Sequence, residues 1–216
     1  MTITIREPGS AITHFIGMML ALIASAPLLA KAAVDCGSTG IFAMSVFMTS
    51  MILLYGASTL YHSVNVSGRR LKVFRKIDHM MIFVLIAGSY TPVCLLVLEP
   101  QSGHALLIAV WAIAAIGILV KALWITCPKW FSSILYIALG WACLSVFGEL
   151  IHTLAGPAFF WLLAGGILYT VGGVIYALKL PVFNAIHKNF GSHEIFHLFV
   201  MGGSICHFIC MYQYVI

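Results

Sequence analysis

Hydrophobic side chains fall into seven long blocks separated by short breaks of polar, charged or turn-forming residues. The blocks run roughly over 12–30, 40–62, 77–98, 104–124, 131–151, 157–179 and 193–215, each about 20 residues, the length a helix needs to cross a bilayer core. At that length in lipid only a helix satisfies its own backbone groups, so the pattern predicts an all-α integral membrane protein with seven transmembrane helices. The breaks are Asp35-Cys36-Gly37-Ser38, Ser67-Gly68-Arg69-Arg70, Glu99-Pro100-Gln101-Ser102-Gly103, Cys127-Pro128-Lys129, Gly156-Pro157 and Pro181 to Gly191. Each carries turn chemistry or charge. All are short, so residues 1–216 read as one seven-helix domain with no extramembrane domain and no evident internal repeat.

Composition agrees. The chain is 62% hydrophobic and 8% charged, too few charges to solvate a soluble protein of 216 residues. Arg6 and Glu7 precede the first block and no clear small-residue cleavage site with a mature domain follows, so no cleavable signal peptide is expected. The six cysteines lack a CxxC spacing and read as small buried hydrophobes, with Cys206 and Cys210 sharing a helix face in the core. Gly165, Gly166, Gly172, Gly173, Gly202 and Gly203 read as sites of close helix packing.

Basic residues set the orientation. With the chain start on one side, that side holds Arg6, Arg69, Arg70, Lys72, Arg75, Lys76, Lys121, Lys129, Lys179 and Lys188, and the other holds only Lys31. This asymmetry predicts a cytoplasmic N-terminus and an external C-terminus. In a membrane protein the basic run Arg69, Arg70, Lys72, Arg75 and Lys76 reads as an orientation signal and an anionic-lipid contact rather than a nucleic-acid site.

The same topology gathers ionisable groups at one membrane edge. His62 ends the second helix on the cytoplasmic side, Asp78 begins the third there, and His193 and His197 begin the seventh there, in His193-Glu194-Ile195-Phe196-His197. Ionisable groups in or near hydrocarbon are costly, and four at one depth form a functional hypothesis by default. Histidines four apart share a helix face, and His62 from another helix completes a three-histidine set that leaves a coordination position open. Imidazole suits zinc, which lowers the pKa of a bound water. Asp78 is placed to hold that water and take its proton, and Ser58, one turn before His62, to donate a hydrogen bond to water or substrate. His14, near the cytoplasmic end of the first helix, reads equally as structural or as a support for the ligands. His79 is expected to face elsewhere. His207, about 15 Å deeper than His197, is too far to share a metal and is expected to make a buried hydrogen bond. His104, His152 and Glu149 read as interfacial on the outer side, and His187 as part of the last cytoplasmic loop.

Ser58-x3-His62, Asp78 a loop later and His193-x3-His197 on a seventh helix resemble the progestin and adipoQ receptor family. The short N-terminus resembles its bacterial branch, the hemolysin III proteins. Glu7-x2-Ser10-x3-His14 is similar to that family's first motif, which often has Asn where Ser10 stands. The resemblance covers essentially the whole chain. It implies that His62, His193 and His197 are zinc ligands, that Asp78 contacts the metal-bound water, and that Glu7, Ser10 and His14 support them. The family also resembles alkaline ceramidases, which implies zinc-dependent hydrolysis of a lipid amide or ester drawn from the membrane of a bacterial cytoplasmic (inner) membrane protein.

Other readings stay open. A non-catalytic membrane sensor with a structural zinc has the same ligands but no turnover. A pore-forming cytolysin lacks a secreted form or amphipathic lytic segment in this sequence. His193-Glu194-Ile195-Phe196-His197 also fits the H-E-x-x-H pattern of metalloproteases, with Glu194 as base. Intramembrane enzymes of that kind take an aspartate ligand from a later helix, and here the seventh helix is the last. Glu194 is otherwise an interfacial acid favoured by the helix dipole.

Overall fold

The computed structural model describes residues 5–178 and 191–216, and all regular structure among them is helical. Among the described residues, seven helical segments are long and apolar enough to span a bilayer. They are α1 (Pro8–Asp35), α2 (Gly37–Ser63), α3 (Gly68–Leu96), α4 (Pro100–Leu123), a composite fifth span, α7 (Gly156–Leu178) and a last span. The fifth runs through α5 (Lys129–Gly140), a 3-10 helix (Trp141–Val146) and α6 (Phe147–Thr153). The last is α8 (Ser192–Cys210), closed by a π-helical turn at Met211–Val215. Large apolar side chains such as Ile23, Ile108 and Leu119 are more than half exposed, as a lipid-facing surface requires. Lys179, His187 and Lys188 lie outside the described residues.

The helices extend beyond the apolar blocks because helical hydrogen bonding continues into the interface. The largest difference is at α3, which starts nine residues before the block it contains and makes the predicted basic loop its first turns. Lysine and arginine are good helix formers, so the basic run need not unwind. The chain reverses just before it, where Gly68 has a φ of 61°, a left-handed conformation that glycine adopts without Cβ strain. Of the five basic side chains, Arg69, Arg70 and Lys72 are exposed. Lys76 instead donates to the carbonyl oxygen of Ala122 and closes the end of α4.

The centre of the bundle is formed by α2 and α3. Met44, Phe47, Tyr55 and Phe83 are almost fully buried. Gly117 of α4 lets that helix lie against the Phe83 ring, and a Cβ there would collide with it. Between α7 and α8, Cβ atoms on Gly172 and Gly203 would meet Phe199 and Tyr169 at 2.8 and 2.9 Å. Gly166 differs from this expectation: it faces open space and lines an internal cavity. Lys31, the one basic residue assigned to the outer side, donates to the carbonyl oxygens of Tyr212 (2.7 Å) and Ile216 (2.5 Å). It thus satisfies carbonyls that the last helix leaves without partners.

The fifth span is not the continuous helix the hydrophobic block predicts. At Gly140 it tightens into 3-10 geometry, and Tyr90 of α3 rescues the disturbed backbone. The Tyr90 hydroxyl donates to the Gly140 carbonyl at 2.6 Å and accepts from the Cys143 amide at 2.9 Å. Trp141 then donates through Nε1 to the Thr170 hydroxyl at 2.9 Å, tying the break to α7. These partners replace lost helical bonds where no water is at hand.

Candidate metal centre

One end of the bundle collects the chemistry. Among the described residues, His62, His193 and His197 place one candidate ligand atom each within 4.8 Å of one another. His62 comes from the last turn of α2, and His193 and His197 come from the first turns of α8, on one face as their spacing predicts. His62 and His197 are buried and His193 is nearly so. The Nε2 atoms of His62 and His193 are 3.2 Å apart.

The start of α1 is docked against this cluster. The Glu7 amide donates to the His62 carbonyl oxygen at 3.0 Å, and the Glu7 carboxylate accepts from His62 Nδ1. A proton on Nδ1 leaves Nε2 bare, with its lone pair turned to His193. Glu7 precedes the first span, and its carboxyl is lowered from 4.5 to about 2, chiefly by that hydrogen bond, with the charge on Arg6 adding to it against the cost of burial. Arg6 itself lies 3.0 Å from the Glu7 carboxylate and 4.3 Å from the centre of the Tyr61 ring.

His197 is held in a parallel way by a residue outside the sequence motifs. Thr13 has its hydroxyl 3.0 Å from the Gly9 and Ser10 carbonyl oxygens and 3.1 Å from His197 Nδ1. Its single proton goes to the carbonyls, so it accepts from Nδ1–H and again leaves Nε2 bare. The sequence offered one cue: Thr13 adjoins His14 and lies three residues after Ser10. His14 stacks on His197, with centroids 3.5 Å apart and planes 7° apart, and neither of its ring nitrogens has a partner.

Ser10 and Glu194 form a separate brace. The Ser10 hydroxyl donates to Glu194 Oε1 at 2.5 Å, and Glu194 Oε2 accepts from the Gly191 amide at 2.8 Å. Both carboxylate oxygens are thereby occupied in capping α8 and pinning it to α1. That engagement argues against Glu194 as the free general base of a metalloprotease.

Asp78 and Ser58 are buried and line one cavity with His14, His193 and His197. Asp78 is not a member of the three-histidine group. Its Oδ2 lies 3.3 Å from Nδ1 of His79, which is also 2.9 Å from the Arg75 carbonyl oxygen. His79 therefore does not face elsewhere. A buried carboxylate needs a partner, and the neighbouring imidazole supplies one. The cavity is walled mostly by apolar residues and extends past Tyr136, Val200 and Leu162 to His207. His207 makes the expected buried hydrogen bond, to the Leu162 carbonyl oxygen at 3.2 Å.

Comparison with known proteins finds relatives that match nearly the full length of the chain. Hemolysin-3 of Bacillus cereus is 37% identical over 211 residues, covering 98% of this chain and 92% of its own. A Hemolysin-3 homolog of Bacillus subtilis (strain 168) is 37% identical over 212 residues, covering 98% of this chain and 95% of its own. Progestin and adipoQ receptor-like protein 1 of Caenorhabditis elegans is 27% identical over 225 residues, matching 94% of this chain to half of its own. The two Bacillus relatives and the seven apolar spans among the described residues agree with an integral protein of the bacterial cytoplasmic membrane. The family described as Haemolysin-III related matches residues 3–208, and the chain belongs to that family.

Proposed function

We propose that this protein is a zinc-dependent hydrolase of a lipid amide or ester, acting at the cytoplasmic edge of the membrane. The observation that carries the reading is a cluster of three buried or nearly buried histidines beside a buried carboxylate, with His193, His197 and Asp78 on the wall of one largely apolar cavity. An all-imidazole donor set suits zinc, and three ligands leave a position open. The 3.2 Å between the Nε2 atoms of His62 and His193 fits two nitrogens on one ion. Nitrogens about 2.0–2.1 Å from a tetrahedral centre stand roughly 3.3 Å apart. Zinc bound there supplies Lewis acidity and lowers the pKa of a coordinated water.

The chain's own residues do the rest. His62, His193 and His197 hold the ion, while Glu7 and Thr13 fix two of the three rings with Nε2 free. The Asp78 carboxylate takes up a proton, with His79 stabilising its charged form. The Ser58 hydroxyl donates a hydrogen bond to the substrate carbonyl or to the attacking water. The apolar walls hold the acyl chain and keep bulk water from the reacting bond. Arg69, Arg70 and Lys72 hold anionic headgroups at the same membrane face.

A second reading is a sensor in which zinc has only a structural role. It is favoured by the way the cluster joins α2 to α8 with α1 braced against both, and by the pairing of Asp78 with His79. Metal analysis of the purified protein, together with a screen for hydrolysis of ceramide-like and phospholipid substrates, separates the two. Bound zinc with turnover supports the hydrolase. Bound zinc without turnover above a metal-free control on any lipid class supports the sensor.

A further inference from the structure

Several ring nitrogens along the cavity have no hydrogen-bond partner; those of His14 and His193 belong to the histidine cluster, and one more lies at the deep end. The Tyr169 hydroxyl is 2.8 Å from the Ser204 hydroxyl, which also receives the Tyr55 hydroxyl at 2.7 Å. Thr170 is taken by Trp141, and Tyr90 by the broken fifth span. Buried polar groups without partners are rare, because each forfeits its hydration with nothing in return. His207 carries such an atom: its Nδ1 is enclosed and has no hydrogen-bond partner.

The ring's own geometry says what kind of partner is missing. Nε2 lies 3.2 Å from the Leu162 carbonyl oxygen, which can only accept, so Nε2 carries the proton and Nδ1 is a bare acceptor. The Cδ2–Nε2 edge faces Gly165 and leaves no room for a Cβ there. Nδ1 is the ring atom opposite that edge, on a side chain that lines the cavity. Rotation about Cβ–Cγ is a soft sp3–sp2 torsion, so the ring can turn Nδ1 toward a molecule in the cavity. The missing partner is therefore a donor, in surroundings too apolar for an ion.

Its distance from the cluster is set by α8. His197 and His207 are ten residues apart in one helix, an axial separation of about 15 Å. Carbon–carbon bonds of about 1.5 Å at tetrahedral angles advance roughly 1.25 Å each, so a chain of about twelve carbons covers that distance. We infer that the cavity takes an acyl chain bearing a hydroxyl about twelve carbons from its carbonyl head, with His207 accepting the hydroxyl's hydrogen bond. This rests on the reading of the cavity as the acyl chamber of a lipid-binding site, and it adds a specificity residue at the end remote from the histidine cluster.

The test is direct binding of two probes to the full-length protein in detergent or nanodiscs: dodecanoate and 12-hydroxydodecanoate. The wild type is expected to bind the hydroxy acid at least as tightly as dodecanoate. In His207→Leu, dodecanoate binding should change less than about threefold while the hydroxy acid weakens roughly 10-fold or more, the cost of enclosing a hydroxyl without a partner. His207→Gln keeps an acceptor and should restore part of the preference; it also serves if the leucine variant does not fold. Dodecanoate binding with no discrimination between the two acids in wild type and variants alike overturns the His207 assignment and leaves the chamber standing. Rejection of the hydroxy acid by a wild type that binds dodecanoate overturns that assignment in the same way. Failure of both acids to bind the wild type overturns the inference together with the acyl-chamber reading.

Discussion

The Thr13 hydroxyl and His197 Nδ1 meet at 3.1 Å across 184 residues of sequence. Thr13 shares its own proton with backbone carbonyls of α1, so it can only accept from the imidazole. His62 stands in the same relation to Glu7, again through Nδ1 and again with a residue from the start of α1. Two of three candidate ligands thus have their tautomer set by one short stretch of the first helix. Groups that orient ligating histidines typically change metal affinity 10–100-fold when removed. Thr13→Val, nearly isosteric, should weaken zinc binding by about that factor, whereas Thr13→Ser should stay close to wild type. Competition with a chromophoric chelator measures both, and equal affinity for Thr13→Val and wild type would show that the contact does not tune the site.

The cluster itself makes a sharper demand. His193→Ala or His197→Ala should lose most bound zinc, and the double variant should retain essentially none by elemental analysis. Glu194→Gln should keep its zinc, because Glu194 caps α8 and bonds Ser10 rather than joining the histidine group. Its cost should appear in stability instead, as a loss of about 0.5–2 kcal/mol typical of a helix cap. Full occupancy in the double histidine variant would falsify the metal assignment.

Asp78 separates catalysis from architecture. General acid–base groups contribute about 10²–10⁴-fold in rate, so Asp78→Asn should lose lipid hydrolysis by a factor in that range while retaining most of its zinc and its fold. Ser58→Ala should show a smaller loss of the same kind, since a neutral hydroxyl positions but does not ionise. Zinc content and turnover are measured on the same preparations. Loss of metal and fold together in Asp78→Asn would assign Asp78 to the structural framework of the site.

Orientation is open to a reporter. The structure puts α1's start beside α2's end and α8's start, through Glu7, His62 and His193, and puts Lys31 beside Tyr212 at the opposite end. With ten basic residues assigned to the first end and one to the other, the cluster should face the cytoplasm. A reporter active only in the cytoplasm and fused after Ile216 should stay silent. Strong activity there would reverse the topology and move the site to the other face.

The broken fifth span gives a stability test remote from the cluster. Tyr90→Phe removes the hydroxyl that serves the Gly140 carbonyl and the Cys143 amide while keeping the ring. The Cys143 amide then loses its partner, and the Gly140 carbonyl keeps only the weak contact of the Cys143 thiol at 3.9 Å. Thermal unfolding in detergent should show destabilisation of about 1–3 kcal/mol, with zinc content unchanged. An unchanged midpoint would mean that the 3-10 segment satisfies itself in another way.

Span number and helical class followed from the sequence, because in lipid a long apolar run has one way to satisfy its backbone, whatever its neighbours do. The pairing of His193 with His197 was equally local, fixed by helical periodicity. His62 and Asp78 could be placed at the same edge by counting spans, but depth and side are only two coordinates. Rotation about each helix axis is the third, and packing decides it. Rotation put His62 against His193 and kept Asp78 out of the histidine group, while side-chain torsions within one helix brought the His79 ring to Asp78. The resemblance names Glu7 as a support, but the tertiary structure alone paired it with His62 and showed Thr13 holding His197, since each pair joins segments far apart in the chain. It alone showed the break at Gly140, where Tyr90 from another helix compensates a defect that hydropathy does not register. Composition along a chain reports the solvent each segment must face; which polar atoms meet inside the bundle depends on contacts between segments, and no single segment encodes them.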